Sequence, residues 1–142
     1  MKEYAVMIVD DDEVDRYLLT RALNKLEFSL TIFESENGVQ ALEFLSAYEE
    51  NKEKHGDNFP PILIFLDINM PLMGGFEFLE AFAQLKKQDQ RYSSSIFTMF
   101  TSSEKEDDKK RAAQYDFVKG FLLKGEVTTE ALNQVFAKHF DT

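Results

Sequence analysis

A chain of 142 residues, 44% of them hydrophobic, has the size of one ordinary domain and can bury a full core without staples. It contains no cysteine, which excludes a disulfide framework, a thiolate metal site and thiol nucleophilic catalysis. With 16 Lys and Arg against 26 Asp and Glu, the formal net charge of −10 repels phosphate backbones at long range, so no direct DNA binding and a protein partner are expected.

The chain starts Met1-Lys2-Glu3-Tyr4, without a basic region followed by a long apolar segment, and its longest apolar runs are of strand length. Neither secretion nor a membrane span is expected, and the location expected is cytoplasmic. The first apolar run, Ala5 to Val9, predicts a strand over 5–9, and three aspartates follow it at once: Asp10, Asp11 and Asp12. Asp12 reads as the N-cap of a helix whose apolar stripe is Val14, Tyr17, Leu18 and Ala22. A second strand is predicted over 29–34, and Val39, Leu42, Phe44 and Leu45 mark a second helix.

From Glu49 to Asn58 the chain is charged and ends in Pro60-Pro61, which reads as a frayed helix end and an exposed loop. Strand 62–66 follows and ends on Asp67, after which the Pro71 and Gly74-Gly75 of the next loop argue for a shaped backbone. A helix is predicted over 75–87 and a strand over 96–100, closed by Thr101-Ser102-Ser103. Ser103 with Glu106 fits a capping box for a polar helix over 104–115, weakly anchored through Ala112, Ala113 and Tyr115. The last elements are strand 120–123, ending at Lys124, and helix 128–139 capped by Thr128. His55 and His139 read as surface residues with no partner at ligand spacing.

Short strands alternating with helical patterns predict an α/β fold: a doubly wound five-stranded parallel sheet in the flavodoxin-like order 2-1-3-4-5, with helices on both faces. In that order strands 1 and 3 are neighbours, so Asp10, Asp11 and Asp67 share a crevice at the carboxyl ends of the strands. Converging carboxylates suit a hard cation such as Mg²⁺, to which the loop after Asp67 could add a backbone carbonyl. The hydroxyls at Thr101 to Ser103 and the Lys124 ammonium complete a phosphate site. There a carboxylate could attack phosphorus while cations neutralise the incoming charge.

These features resemble the receiver domains of two-component response regulators, in particular the stand-alone chemotaxis regulator. The resemblance rests on the acidic pair after the first strand, the Asp-x-Asn-Met-Pro-x-Met-x-Gly run from Asp67 to Gly75, the Thr-Ser pair at Thr101, and Phe-Leu-Leu-Lys from Phe121 to Lys124. It extends from about Tyr4 to His139 and implies one receiver domain over 1–142 with no output domain. It implies that Asp67 accepts a phosphoryl group from a phosphohistidine. Asp11 and Asp67 would ligate Mg²⁺ directly, the Asn69 carbonyl would join them, and Asp10 would act mainly through a bound water. Thr101 and Lys124 would each engage a phosphoryl oxygen, Phe121 would be the switch aromatic, and the protein would be a self-modifying phosphoacceptor rather than a turnover enzyme.

Two positions depart from the family pattern. Gly125 stands where a proline usually follows the lysine; a cis non-proline bond costs about 2.5–4 kcal/mol, so a trans or mobile Lys124-Gly125 link and a less rigid Lys124 are expected. Phe121 stands where tyrosine is common and lacks a hydroxyl, so it can report a switch only by packing. The partners implied are a sensor histidine kinase or phosphotransfer protein and a downstream protein. A homodimer through the 104–139 face is a further expectation, prompted by Phe121 and Leu123. Two alternative readings are a haloacid-dehalogenase-like phosphatase with Asp10 as nucleophile and Asp12 as acid/base, and a receiver-like binding module that is never phosphorylated.

Overall fold

Strands buried on both faces are apolar in near-continuous runs rather than at alternate positions, and two of the strands here carry such runs. In β1 (Glu3–Val9) residues 5–9 are all buried, as is the whole of β3 (Leu63–Leu66). The computed structural model describes residues 3–140; Met1, Lys2, Asp141 and Thr142 lie outside the described residues. With β2 (Ser29–Ser35), β4 (Ile96–Thr101) and β5 (Val118–Leu123), the strands form one parallel sheet in the order β2-β1-β3-β4-β5. This is the predicted order.

Side-chain alternation along the strands builds two cores. Val6, Ile8, Leu63, Phe65 and Phe100 point to one face, where Leu19 and Leu23 of α1 (Glu13–Leu23) meet Leu132 and Phe136 of α6 (Thr129–His139). Met7, Val9, Ile64, Leu66, Phe97 and Met99 point to the other. They are covered by Ala41 and Leu45 of α2 (Gly38–Ser46), Phe78, Leu79 and Phe82 of α4 (Gly75–Gln88), and Ala112 of α5 (Glu106–Ala113).

The structure corrects several details of the sequence reading. The stripe that predicts α1 is not its buried face: Val14, Tyr17 and Leu18 are 63%, 61% and 51% exposed, while Arg16, Leu19 and Leu23 are buried. Apolar residues lie on two sides of this helix, and only the Leu19–Leu23 side meets the sheet. The segment read as a frayed end is a separate helix, α3 (Tyr48–His55), after a break at Ala47. Acids open it and bases close it, as the helix dipole favours, and Asn51 Nδ2 donates to the Phe44 carbonyl at 2.6 Å. His55 packs edge-on against Phe33 with ring centroids 4.9 Å apart, so it is part of an aromatic wall.

The Ser103–Glu106 capping box does not form. The polar helix starts later, at Glu106 with Lys105 as its N-cap, because Ser103 Oγ donates to Asp108 Oδ2 at 2.6 Å instead. Asp12 and Thr128 cap α1 and α6 as expected. Among the described residues no helix is long and apolar enough to cross a membrane.

Candidate functional site

The crevice is assembled by register. Val9 pairs with Leu66, so the next residue of each strand, Asp10 and Asp67, emerges side by side, and the Asp67 N–H donates to the Val9 carbonyl at 3.0 Å. Asp10 is fully buried, Asp67 is 5% exposed, and Asp11 lies at the exposed lip. One oxygen from each of Asp10, Asp11 and Asp67 lies within 4.8 Å of the others.

These three carboxylates fit a divalent cation on a specific ground. Asp10 Oδ2 is buried and accepts no aligned hydrogen bond, although Lys124 Nζ stands 2.8 Å away. Three carboxylates that converge within 4.8 Å beside a single ammonium remain short of positive charge, and hard anionic oxygens in such a set suit a divalent cation. Burial accordingly pushes Asp10 up to about 6, against the opposing pull of Lys124 and of the Asp12 N–H.

Thr101 ends β4 fully buried, and its Oγ1 accepts from the Ser103 N–H at 3.2 Å. Lys124 follows β5 and reaches into the crevice, 2.8 Å from Asp10, 2.8 Å from Asp15 and 3.1 Å from Asp67. Burial works against its charge, but pairing with the Asp10 and Asp15 carboxylates and the charge of Asp67 outweigh it and raise the Lys124 pKa. The Lys124-Gly125 peptide is trans, as expected. The expected looseness of the lysine is absent, because three carboxylates grip the ammonium.

The loop after Asp67 is shaped by close backbone approach. Asp67 Oδ1 accepts from the Ile68 N–H at 2.8 Å, and the Gly75 N–H donates to the Ile68 carbonyl at 2.8 Å. Asn69 is exposed and lines an open cavity of about 660 Å³ with Ser102 and Ser103. Phe121 is half-buried against the core, with Lys109 Nζ 5.7 Å from its ring centre.

Sequence reasoning missed two charged residues. Arg16 lies on the buried face of α1 and donates from Nη1 to the Asp10 carbonyl at 2.7 Å, with Nε 3.2 Å from Glu34 Oε1. It fixes the end of β1, and nothing in its spacing announces a charge on a buried face. Asp15, paired with Lys124, carried a faint signal: it stands three residues after the capping Asp12, in the first turn of α1 and on the crevice side.

Comparison with known proteins agrees with this geometry. A family model described as the response regulator receiver domain matches residues 6–136. Chemotaxis protein CheY of Halobacterium salinarum is 33% identical over 109 residues, 77% of this chain and 75% of its own length. Sensor histidine kinase CheAY of Helicobacter pylori is 34% identical over 76 residues, and the chain spans only 8% of it. The crystal structure of a two component response regulator from Cytophaga hutchinsonii superimposes with a TM-score of 0.83 at 25% identity, covering 100% of both chains. With five strands in the receiver order and an acidic crevice at their carboxyl ends, the chain belongs to the response regulator receiver domain family, the phosphoryl-accepting component of two-component signalling.

Proposed function

We propose that Asp67 is the phosphoacceptor, taking its phosphoryl group from a phosphohistidine on a sensor kinase or phosphotransfer protein. A carboxylate oxygen of Asp67 bonds to phosphorus as the donor's N–P bond breaks, and the electron pair of that bond stays on the imidazole nitrogen. The observation that carries this reading is the convergence of Asp10, Asp11, Asp67 and Lys124 from three strand ends on one crevice, with Thr101 at the end of the neighbouring β4. Asp10, Asp11, Asp67 and the Asn69 carbonyl are the groups to hold Mg²⁺, which when bound offsets the negative charge gathered at phosphorus. Lys124 is the group to neutralise a phosphoryl oxygen, and Thr101 would give up the Ser103 N–H to bond another. The protein modifies itself once per signal and does not turn over a substrate.

Val14, Tyr17 and Leu18 lie exposed on α1, the helix that follows Asp10 and Asp11, and offer the donor protein an apolar footing. Within these 142 residues the signal leaves by contact, as phosphorylation shifts an existing equilibrium between two surfaces. The α5, β5 and α6 face, with Phe121 as the packing switch, is the surface for a downstream protein or a second copy. The phosphatase alternative is not favoured: the receiver-domain family model spans residues 6–136, and Asp12 caps α1, its Oδ1 accepting from the Val14 and Asp15 N–H groups at 2.9 and 3.2 Å.

The test is exposure to a small phosphodonor with Mg²⁺, read by intact mass and peptide mapping. A phosphoryl adduct on Asp67 that disappears in Asp67→Asn is expected. An adduct on Asp10, or none under conditions where Mg²⁺ binds, overturns the reading.

A further inference from the structure

The backbone does little to fix Lys124. It opens a single 3₁₀ turn, Lys124–Glu126, without a side-chain cap, and no atom lies within 4 Å of where a Cβ on Gly125 would stand. Its side chain is nevertheless only 14% exposed, because carboxylates surround the ammonium. Two of these, Asp10 and Asp67, are the groups the proposed chemistry commits to a cation and to phosphorus. Asp15 is the third, at 2.8 Å, and it lies outside the cluster of Asp10, Asp11 and Asp67.

Local hydrogen bonding explains why Asp15 is free for this contact. It occupies the third position of α1, from which an acidic side chain often reaches back to the N–H of the capping residue. Here that N–H, of Asp12, already donates to Asp10 Oδ1 at 2.9 Å. Asp12 Oδ1 in turn holds the backbone of Asp15 at 3.2 Å. The Asp15 carboxylate is therefore held in place by its backbone and left without a local partner, and it turns to Lys124.

The geometry points to Asp15 as a positioning residue for Lys124, anchoring the ammonium from α1 throughout phosphoryl transfer where the glycine-flanked turn after β5 cannot. This rests on Asp67 being the phosphoacceptor. Asp15 also carries a charge that opposes an incoming phosphate, but at 2.8 Å it forms a pair with Lys124. Loss of position is then the larger effect of removing it, because a charge-assisted hydrogen bond that orients a reacting group is worth about tenfold or more.

The experiment compares Asp15→Ala, Asp15→Asn and the wild type for Asp67 phosphorylation across concentrations of a small phosphodonor. Asp15→Ala is expected to lower the rate at saturating donor about tenfold with little change in the half-saturating concentration, and Asp15→Asn, which keeps an acceptor, to recover most of it. In a Lys124→Ala background, Asp15→Ala should have no further effect. A second readout needs neither metal nor phosphate: Lys124 in metal-free Asp15→Ala should be acylated several times faster by an amine-reactive reagent, in buffer where urea unfolding shows both proteins fully folded. Undiminished phosphorylation in Asp15→Ala, an equal loss in the Lys124→Ala background, or unchanged Lys124 acylation overturns the positioning role alone. Absence of Asp67 labelling in the wild type overturns the phosphoacceptor reading and this one with it.

Discussion

Replacing Gly75 with alanine sets helix propensity against packing, and the structure decides the sign. Gly75 is the first residue of α4, where alanine is worth about 1 kcal/mol more than glycine on propensity alone. A Cβ there would fall within contact distance of the Asp67 carbonyl oxygen and only 2.8 Å from Ile68 Cα. Both neighbours are backbone, and the Asp67 N–H is tied to Val9 and the Gly75 N–H to Ile68, so neither side yields cheaply. Overpacking of this kind costs about 3 kcal/mol, leaving a net loss of about 2 kcal/mol, or about 4–8 °C in Tm for a domain of this size. Gly125→Ala is the control, since its site is open and its φ is not positive; it should be neutral or gain about 0.5 kcal/mol. Urea and thermal unfolding of both variants measure the difference. Because the Gly75 clash pushes on the backbone of Asp67, phosphorylation should slow together with the loss of stability. A Gly75→Ala protein more stable than the wild type would show that propensity outweighs the clash and that the loop is not held as described.

Two further outcomes follow from buried polar groups. Asp10, buried beside Lys124, Asp67 and Asp11, is pushed up to about 6 in the metal-free protein, so protons compete with Mg²⁺ for it. Because this folded-state pKa is raised, ionising Asp10 costs the metal-free fold stability as pH rises through about 6, and Mg²⁺ affinity falls as pH drops below about 6. Calorimetric titration at about pH 5 and about pH 7 should show a clear difference, and equal affinities would mean that Asp10 is not involved. Tyr92 is 1% exposed and its hydroxyl donates to the Leu45 carbonyl near the end of α2. Tyr92→Phe leaves that carbonyl unpaired and should cost about 1–2 kcal/mol in urea unfolding; an unchanged midpoint would show that water replaces the bond.

The order of elements, the strand positions and the crevice were legible because each is written locally. Parallel strands need uninterrupted apolar runs, and Ala5 to Val9 and Ile62 to Leu66 supply them. Caps need an oxygen at one defined place, which made Asp12 and Thr128 readable. Where two local options competed, sequence was a poorer guide. Ser103 can cap a helix or bond Asp108, and the fold chose Asp108. Val14, Tyr17 and Leu18 have helical spacing as good as that of Leu19 and Leu23, and periodicity does not say which side meets the sheet.

That Asp10, Asp11 and Asp67 meet is already written in the order of residues, because alternating strands and helices and the position of each aspartate after an apolar run leave the carboxylates one common end of the sheet. The partners of Lys124 are set by the folded arrangement instead. Reading Gly125 alone predicts a loose lysine. The grip comes from Asp15, 109 residues earlier in the chain, and from Asp10 and Asp67. A charge pair between residues so far apart leaves no periodic mark in sequence; it exists only once α1 and β5 have been brought to the same edge of the crevice.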